Sequence, residues 1–346
     1  LPKRVHDSVV SRIKILSHLK IDARRIPQDG RFMYEMGAQQ VDLRVSTLPT
    51  THGEKVVARL LRKSTKVPTL EDLGMRGLGL KQFKEAIRKP NGIVLVTGPT
   101  GSGKTTTLRT SLSMVNSTDI NILTLEDPVE YEIPGINQVQ VNPQAGLTFA
   151  SGLRSFLRQD PDVIMVGEIR DSETMELAIQ ASLTGHLVFS TIHTNSAAGT
   201  LPRLLDMGAE PFLLASTMEL ILAQRLVRTL CDNCKQPHEA TADEVQKMVE
   251  LLGPLSDKYI NEGKATTYTP QGCNECNDTG YVGRVGIYEV LVVSEKVGRL
   301  ILEQETADTI EQEAINSGMI KMFQDGMLKV LDGITSLEEV LRVARE

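Results

Sequence analysis

The segment GPTGSGKTTT, Gly98 to Thr107, fits the spacing G-x-x-x-x-G-K-[ST] at Gly98, Gly103, Lys104 and Thr105. Glycines at these positions let backbone N–H groups turn inward around phosphates. Gly98, Pro99, Thr100, Gly101, Ser102, Gly103, Lys104, Thr105 and Thr106 are therefore expected to cradle a nucleotide. Lys104 would neutralise the β- and γ-phosphates, and the Thr105 hydroxyl would ligate Mg²⁺. The apolar run IVLV before the loop reads as a strand, and TTLRTSL after it reads as a helix whose N-terminus faces the anion.

Two further segments bring carboxylates to strand ends. VIMVGEIRD, Val163 to Asp171, delivers Glu168 one step past a glycine, and LTLEDPVEY supplies Glu126, Asp127 and Glu130. In an open α/β sheet, ligands collect at the carboxyl ends of the strands. One glutamate is expected to orient the attacking water and the other to hold a hydrated Mg²⁺. Glu168 is preferred for the water, because Glu reaches one methylene further than Asp; Glu126 is the alternative. TGHLVFSTIHTN offers His193 at a strand end, where a γ-phosphate or a metal-bound water is in reach, and His186 is a second candidate. His6, His18, His52 and His238 have no such placement.

The four cysteines form two C-x-x-C pairs, Cys231/Cys234 and Cys273/Cys276. Four thiolates make a closed tetrahedral zinc set, structural because no position stays open for water. Gly272 and Gly280 flank the second pair and permit tight turns. Redox pairing is the alternative. The start LPKRVHDSVV has no apolar signal core, and no run approaches the ~20 apolar residues of a membrane span, so a reducing compartment is expected. The chain starts with Leu1 rather than Met, which fits a fragment lacking an N-terminal part.

The 346 residues are 40% hydrophobic and 24% charged, ordinary for a globular protein, and predict two domains. Net charge is −6, but residues 1–62 carry 12 Lys/Arg against 6 Asp/Glu. That basic portion fits nucleic acid, phosphates or simply the acidic remainder of the chain. RVHDSVVSRIKILSHLK is apolar on one helical face. VDLRVSTLP and EKVVARLLR read as strands joined through TTHGE. Residues 1–66 are thus expected to be a small α+β domain, and the Pro- and Gly-containing stretch 67–80 a linker. Beyond it, β-branched apolar runs alternate with helical patterns, which predicts a largely parallel sheet with helices on both faces. SLEEVLRVARE near the end reads as a helix with a capping box from Ser336 and Glu339.

GPTGSGKTTT, ILTLEDPVEY, RQDPDVIMVGEIRD and TGHLVFSTIHTN together resemble the Walker A, Asp, Walker B and His boxes of the secretion ATPase superfamily. The resemblance also takes in RIPQDGR, VDLRVSTLPTTHGEKVVARLL and the two C-x-x-C pairs. The chain is most similar to type IV pilus assembly ATPases and type II secretion ATPases. The fold this implies is α/β: an N-terminal PAS-like α+β domain (1–66), a RecA-like P-loop ATPase core (81–230), a tetracysteine zinc insert (231–285) and a helical C-terminal part (286–346). It implies a homohexameric, Mg²⁺-dependent ATPase in the cytoplasm, held at the inner membrane by a platform protein and a cytoplasmic adaptor. That motor would drive pilin polymerisation or, alternatively, pseudopilus assembly and protein export. Arg44 and Arg59 match the arginines that reach the phosphates in this family, in the same subunit or a neighbouring one. Arg154 and Arg158 resemble its further interface arginines.

Three other readings compete. A DNA-transfer motor would use the same P-loop, but the acidity of the chain and its 4% aromatic content weigh against direct nucleic-acid binding. A non-hydrolysing regulator would not need Glu168, Lys104 and Thr105 together. A kinase would need an acceptor site, and none is evident.

Overall fold

A computed structural model of the chain describes residues 3–36, 39–62, 67–260 and 264–344. It divides into two units, Leu1–Val67 and Pro68–Glu346.

The first unit is one helix, α1 (Lys3–Leu16), and an antiparallel sheet of β1 (Gln28–Met36), β2 (Gln39–Thr50) and β3 (Gly53–Arg62) in that order. Strand alternation decides which face α1 covers. Val45 and Thr47 are fully buried on the helix side, and Lys14 of α1 makes a buried 2.5 Å ion pair with Glu54 of β3. Gly30 is required there, since a Cβ would lie 2.4 Å from the Ser17 carbonyl oxygen.

The second unit begins with α2 (Gly77–Ala86), β4 (Gly92–Thr97), α3 (Lys104–Val115), β5 (Ile122–Glu126), β6 (Asn137–Gln140), α4 (Phe149–Phe156) and β7 (Val163–Val166). Next come α5 (Ser172–Leu183), β8 (Leu187–Ile192), α6 (Thr200–Asp206), α7 (Pro211–Thr217) and β9 (Met218–Leu230). A two-stranded sheet of β10 (Gln236–Glu239) and β11 (Thr266–Thr269) frames α8 (Ala242–Leu252) and α9 (Ser256–Tyr259). The unit closes with β12 (Tyr281–Val292), α10 (Glu295–Leu302), α11 (Ala307–Asn316), α12 (Met322–Leu331) and α13 (Leu337–Ala344).

Its main sheet has the order β12-β9-β4-β8-β7-β5-β6, parallel except for β12, which runs antiparallel to β9. β4 shows why its run is unbroken. Ile93 and Leu95 enter one apolar cluster with α4 and α5, while Val94 and Val96 enter another with α2 and α3. Both faces are covered, so every position must be apolar. Each such side chain contributes about 1.5–3 kcal/mol on burial.

Three expectations are corrected. Residues 67–80 are not a free linker. Leu70 and Met75 are buried in the second unit, Gly286 N and Tyr288 Oη both donate to the Leu73 carbonyl, and α2 starts at Gly77. Strand β12 starts at Tyr281, so the last residues of the segment expected as the cysteine insert belong to the main sheet. The capping box of α13 is only half made. Glu339 N donates to Ser336 Oγ, but the Glu339 carboxylate is taken by Arg228 and Arg342. Burial opposes ionisation of Glu339, yet the two guanidiniums and the Arg228 N–H draw its pKa down to about 2. Among the described residues, no helix is long and apolar enough to cross a membrane.

Candidate active site

Strands β4, β8, β7 and β5 are successive neighbours in the sheet, and their C-terminal ends form one edge. The expected chemical groups arrive there in turn. The Gly98–Gly103 loop and Lys104 follow β4, His193 follows β8, Glu168 follows β7 after Gly167, and Glu126 ends β5.

The phosphate loop is shaped by left-handed glycines. Gly103 has φ 92° and caps α3 without a side-chain partner, leaving the first N–H groups of the helix for an anion. At Gly98, φ is 143° and a Cβ would meet the Gln224 carbonyl oxygen at 2.4 Å. The loop rests on a residue of β9 that the sequence did not single out. Gln224 Nε2 donates to Ser102 O at 2.7 Å, and its Oε1 accepts from Thr107 Oγ1 at 2.8 Å. Lys104 Nζ donates to Gly98 O at 2.7 Å and Pro99 O at 3.1 Å. Burial lowers the Lys104 pKa, while Glu168 pulls it back up.

The backbone explains the Gly-Glu step. Past the end of β7, Gly167 N still donates to Leu125 O at 2.8 Å, and a Cβ at 167 would press that oxygen at 3.2 Å. On the other side, Thr191 Oγ1 donates to Gly167 O at 2.7 Å and Ile169 N to Thr191 O at 2.8 Å. Glu168 is thereby pinned between strands β5 and β8. Its side chain is 16% exposed; Oε1 pairs with Arg170 Nη2 at 2.6 Å and Oε2 faces His193 Nε2 at 3.7 Å. Burial lowers the His193 pKa, the Lys104 and Arg170 charges lower it further, and Glu168 opposes them. Lys104, Glu168, Arg170 and His193 thus form one interacting group.

Thr194, the residue after His193, is held by a chain of hydroxyls. Thr194 N donates to Thr97 Oγ1 at 2.9 Å, and Thr194 Oγ1 lies 2.7 Å from Thr97 Oγ1 and 2.6 Å from Thr200 Oγ1. Glu126 has a different setting. It is 7% exposed, and its Oε1 accepts from Thr124 Oγ1 at 2.6 Å and Gln138 Nε2 at 3.0 Å. His186 is excluded from the site. It precedes β8, at the opposite edge of the sheet, with Nδ1 2.8 Å from Ala181 O. Arg154 lies on α4 in an exposed ion pair with Glu173, and Arg158 Nη1 bonds the Arg154 carbonyl.

The chain that carries this sheet edge matches a known family along nearly its whole length. The family model for type II/IV secretion system proteins matches residues 2–342. The chain belongs to the type II/IV secretion system protein family. It is 52% identical over 98% of its length to the type II secretion system protein E of Pseudomonas aeruginosa, covering 65% of that protein. It is likewise 52% identical over 98% of its length to the type IV pilus assembly ATPase PilB of Myxococcus xanthus, covering 59%. The chain therefore spans about two thirds or less of the curated relatives' length. Among solved structures it resembles the pilus retraction motor PilT with bound ADP, at 27% identity and TM-score 0.66, over 93% of this chain and 78% of that one. The likeness takes in the mixed α/β fold with its largely parallel sheet.

The cysteines of this family member form a closed cluster. The four sulfurs lie within 4.8 Å of one another, with Cys231–Cys273 and Cys234–Cys276 at 3.8 Å and Cys273–Cys276 at 3.7 Å. A tetrahedral ion about 2.3 Å from each sulfur separates the sulfurs by about 3.8 Å, so the set fits a metal. Gly272 (φ 95°) and Gly280 (φ 73°) make the turns around the second pair. Burial raises the Cys276 pKa, but N–H groups of Cys273 and Gly280 outweigh it and bring it down to about 6, while burial and the neighbouring sulfurs push Cys234 up to about 11, so without a metal the cluster favours one thiolate and not four.

In the first unit, Arg44 of β2 stands directly opposite Arg59 of β3. Both are on the face away from α1.

Proposed function

We propose that this chain is the motor portion of a Mg²⁺-dependent ATPase that drives type IV pilus assembly. The convergence of Lys104, Glu168 and His193 on one sheet edge carries the reading. ATP phosphates sit in the Gly98–Thr106 loop at the N-terminus of α3, with Lys104 compensating β- and γ-phosphate charge. Glu168, freed from Arg170, accepts a proton from the attacking water, and neutral His193 holds that water's other side. A magnesium ion held through the exposed Thr105 hydroxyl, with Glu126 behind it, would neutralise the phosphate oxygens. Arg44 and Arg59 add charge from the same chain or a second copy, and Arg154 supports a contact between copies.

The working form in this reading is a homohexamer of RecA-like cores with PAS-like first domains. It is cytoplasmic and reaches the inner membrane through a platform protein and an adaptor, without direct nucleic-acid binding. Zinc in the four-cysteine cluster has a structural role. A second reading, pseudopilus assembly in type II secretion, is favoured equally by the 52% identity to a type II secretion protein E.

Phosphate release from ATP tests the proposal. It should require Mg²⁺, vanish in Lys104→Ala and not respond to added DNA. Release that persists in Lys104→Ala would overturn it.

A further inference from the structure

Strand β12 is buried from Val285 to Leu291, and Glu289 is the one charged residue in that stretch. An apolar side chain would serve the strand alone. Ile287 and Leu291, its neighbours on the same face, join the apolar cluster that also holds Ala197, Ala198 and Met322. A carboxylate in such a setting is costly unless hydrogen bonds compensate it. Glu289 is 4% exposed, and each of its oxygens takes a backbone N–H. Ala197 N donates to Oε1 at 2.8 Å, and Met322 N donates to Oε2 at 3.4 Å. Burial raises the pKa of Glu289 and Glu311 adds to that, while the two N–H groups and Lys321 act the other way.

The two donors belong to different parts of the unit. Met322 is the first residue of α12, whose opening N–H groups have no partner inside the helix. The same helix is joined to β12 and α8, since Tyr288 N donates to Asp325 Oδ2 at 2.9 Å and Gln324 Nε2 to Leu252 O at 2.8 Å. Ala197 lies in the loop that runs from His193 to Gly199, between β8 and α6. That loop is anchored twice. Near its start Thr194 N bonds the Thr97 hydroxyl, and further on Ala197 and Ala198 are fully buried, with Ala197 N on Glu289. The His193 side chain is about half exposed at the sheet edge, so its position depends on how the residues after it are held. We propose that Glu289 is a positioning residue of the ATPase site, a carboxylate bridge that fixes the His193 loop to the N-terminus of α12. Being buried, it acts through the loop. The inference rests on the reading of His193 above as the group beside the attacking water.

The test uses the full chain with Glu289→Gln, which keeps the shape but turns an NH₂ toward one of the two N–H groups. In steady-state turnover kcat should fall by about tenfold or more with KM for ATP changed little, because a small misplacement of a positioned group is costly in rate. In a His193→Gln background the same substitution should lower kcat by less than about twofold further, since residues that act through one another are not additive. The ring resonance of His193, assigned by its loss in His193→Gln, should move in Glu289→Gln while that of His52 stays in place. Wild type, which needs no variant to fold, should show slow amide exchange at Ala197. Unchanged kcat with an unmoved His193 resonance would overturn the bridge. So would losses that multiply in the double variant, which assign Glu289 to packing alone, and so would fast exchange at Ala197. If wild type hydrolyses no ATP yet the His193 resonance still depends on Glu289, the ATPase reading fails and the bridge stands.

Discussion

Glu168 and Arg170 are paired across a single intervening residue, Nη2 to Oε1 at 2.6 Å. The carboxylate proposed to take the water's proton is therefore already oriented by a cation, and its second oxygen is turned toward His193. Replacing Glu168 with Gln keeps the shape and removes the proton acceptor. Nucleotide binding should persist while turnover falls by about 10²-fold or more, read by ATP-analogue binding beside phosphate release. Near-normal turnover would transfer the water to Glu126.

His193 is neutral at pH 7, because burial and the nearby Lys104 charge hold its pKa below the ordinary 6.5. The sign follows directly. Acidification protonates the unfolded histidine first, so the contribution of this group to stability is full above pH 6.5 and declines as pH falls below it. A neutral ring can accept a hydrogen bond from water, and a protonated one cannot. The acid limb of the kcat profile should fall below pH 6.5 and change in His193→Gln. An identical limb in that variant would assign it to another group.

Gln224 fixes the floor of the phosphate loop. Gln224→Ala strands the Ser102 carbonyl and the Thr107 hydroxyl, and an unsatisfied buried group costs roughly 1–3 kcal/mol. KM for ATP should rise and the melting temperature should fall. Gln224→Glu should reproduce most of the defect, since a carboxylate accepts from Thr107 but cannot donate to Ser102. Wild-type kinetics in both would remove Gln224 from the site.

The four-cysteine cluster should hold one metal ion per chain by elemental analysis. Chelation, or Cys273→Ser with Cys276→Ser, should release it and lower the melting temperature, because binding energy at a structural site is folding energy. A chain that melts identically with and without metal would contradict this role.

What the sequence made legible was contiguous. The phosphate loop, the Gly-Glu strand end and the cysteine pairs each carry their chemistry within a few residues, and the parallel sheet followed from strand and helix patterns. What stayed hidden depends on register. Gln224 meets Ser102 across 122 positions of chain, its only local signal being a polar residue inside the apolar strand of β9. Arg31 lies in the RIPQDGR segment, but only strand pairing shows that it stands opposite Arg44. Residues 67–80 misled because Pro68, Gly74, Gly77 and Gly79 give them a linker's composition, while Leu70 and Met75 do the packing. His186 and His193 look alike in one strand motif, yet six strand residues place them about 20 Å apart, at opposite edges.

The measurement that bears most directly on the account is Mg²⁺-ATP turnover per chain as a function of chain concentration, without nucleic acid. A site completed by arginines of a neighbouring copy predicts a rate per chain that rises steeply and then levels off. A substantial rate that stays flat from the lowest concentration would mean that each chain is self-sufficient, and would contradict the ring motor.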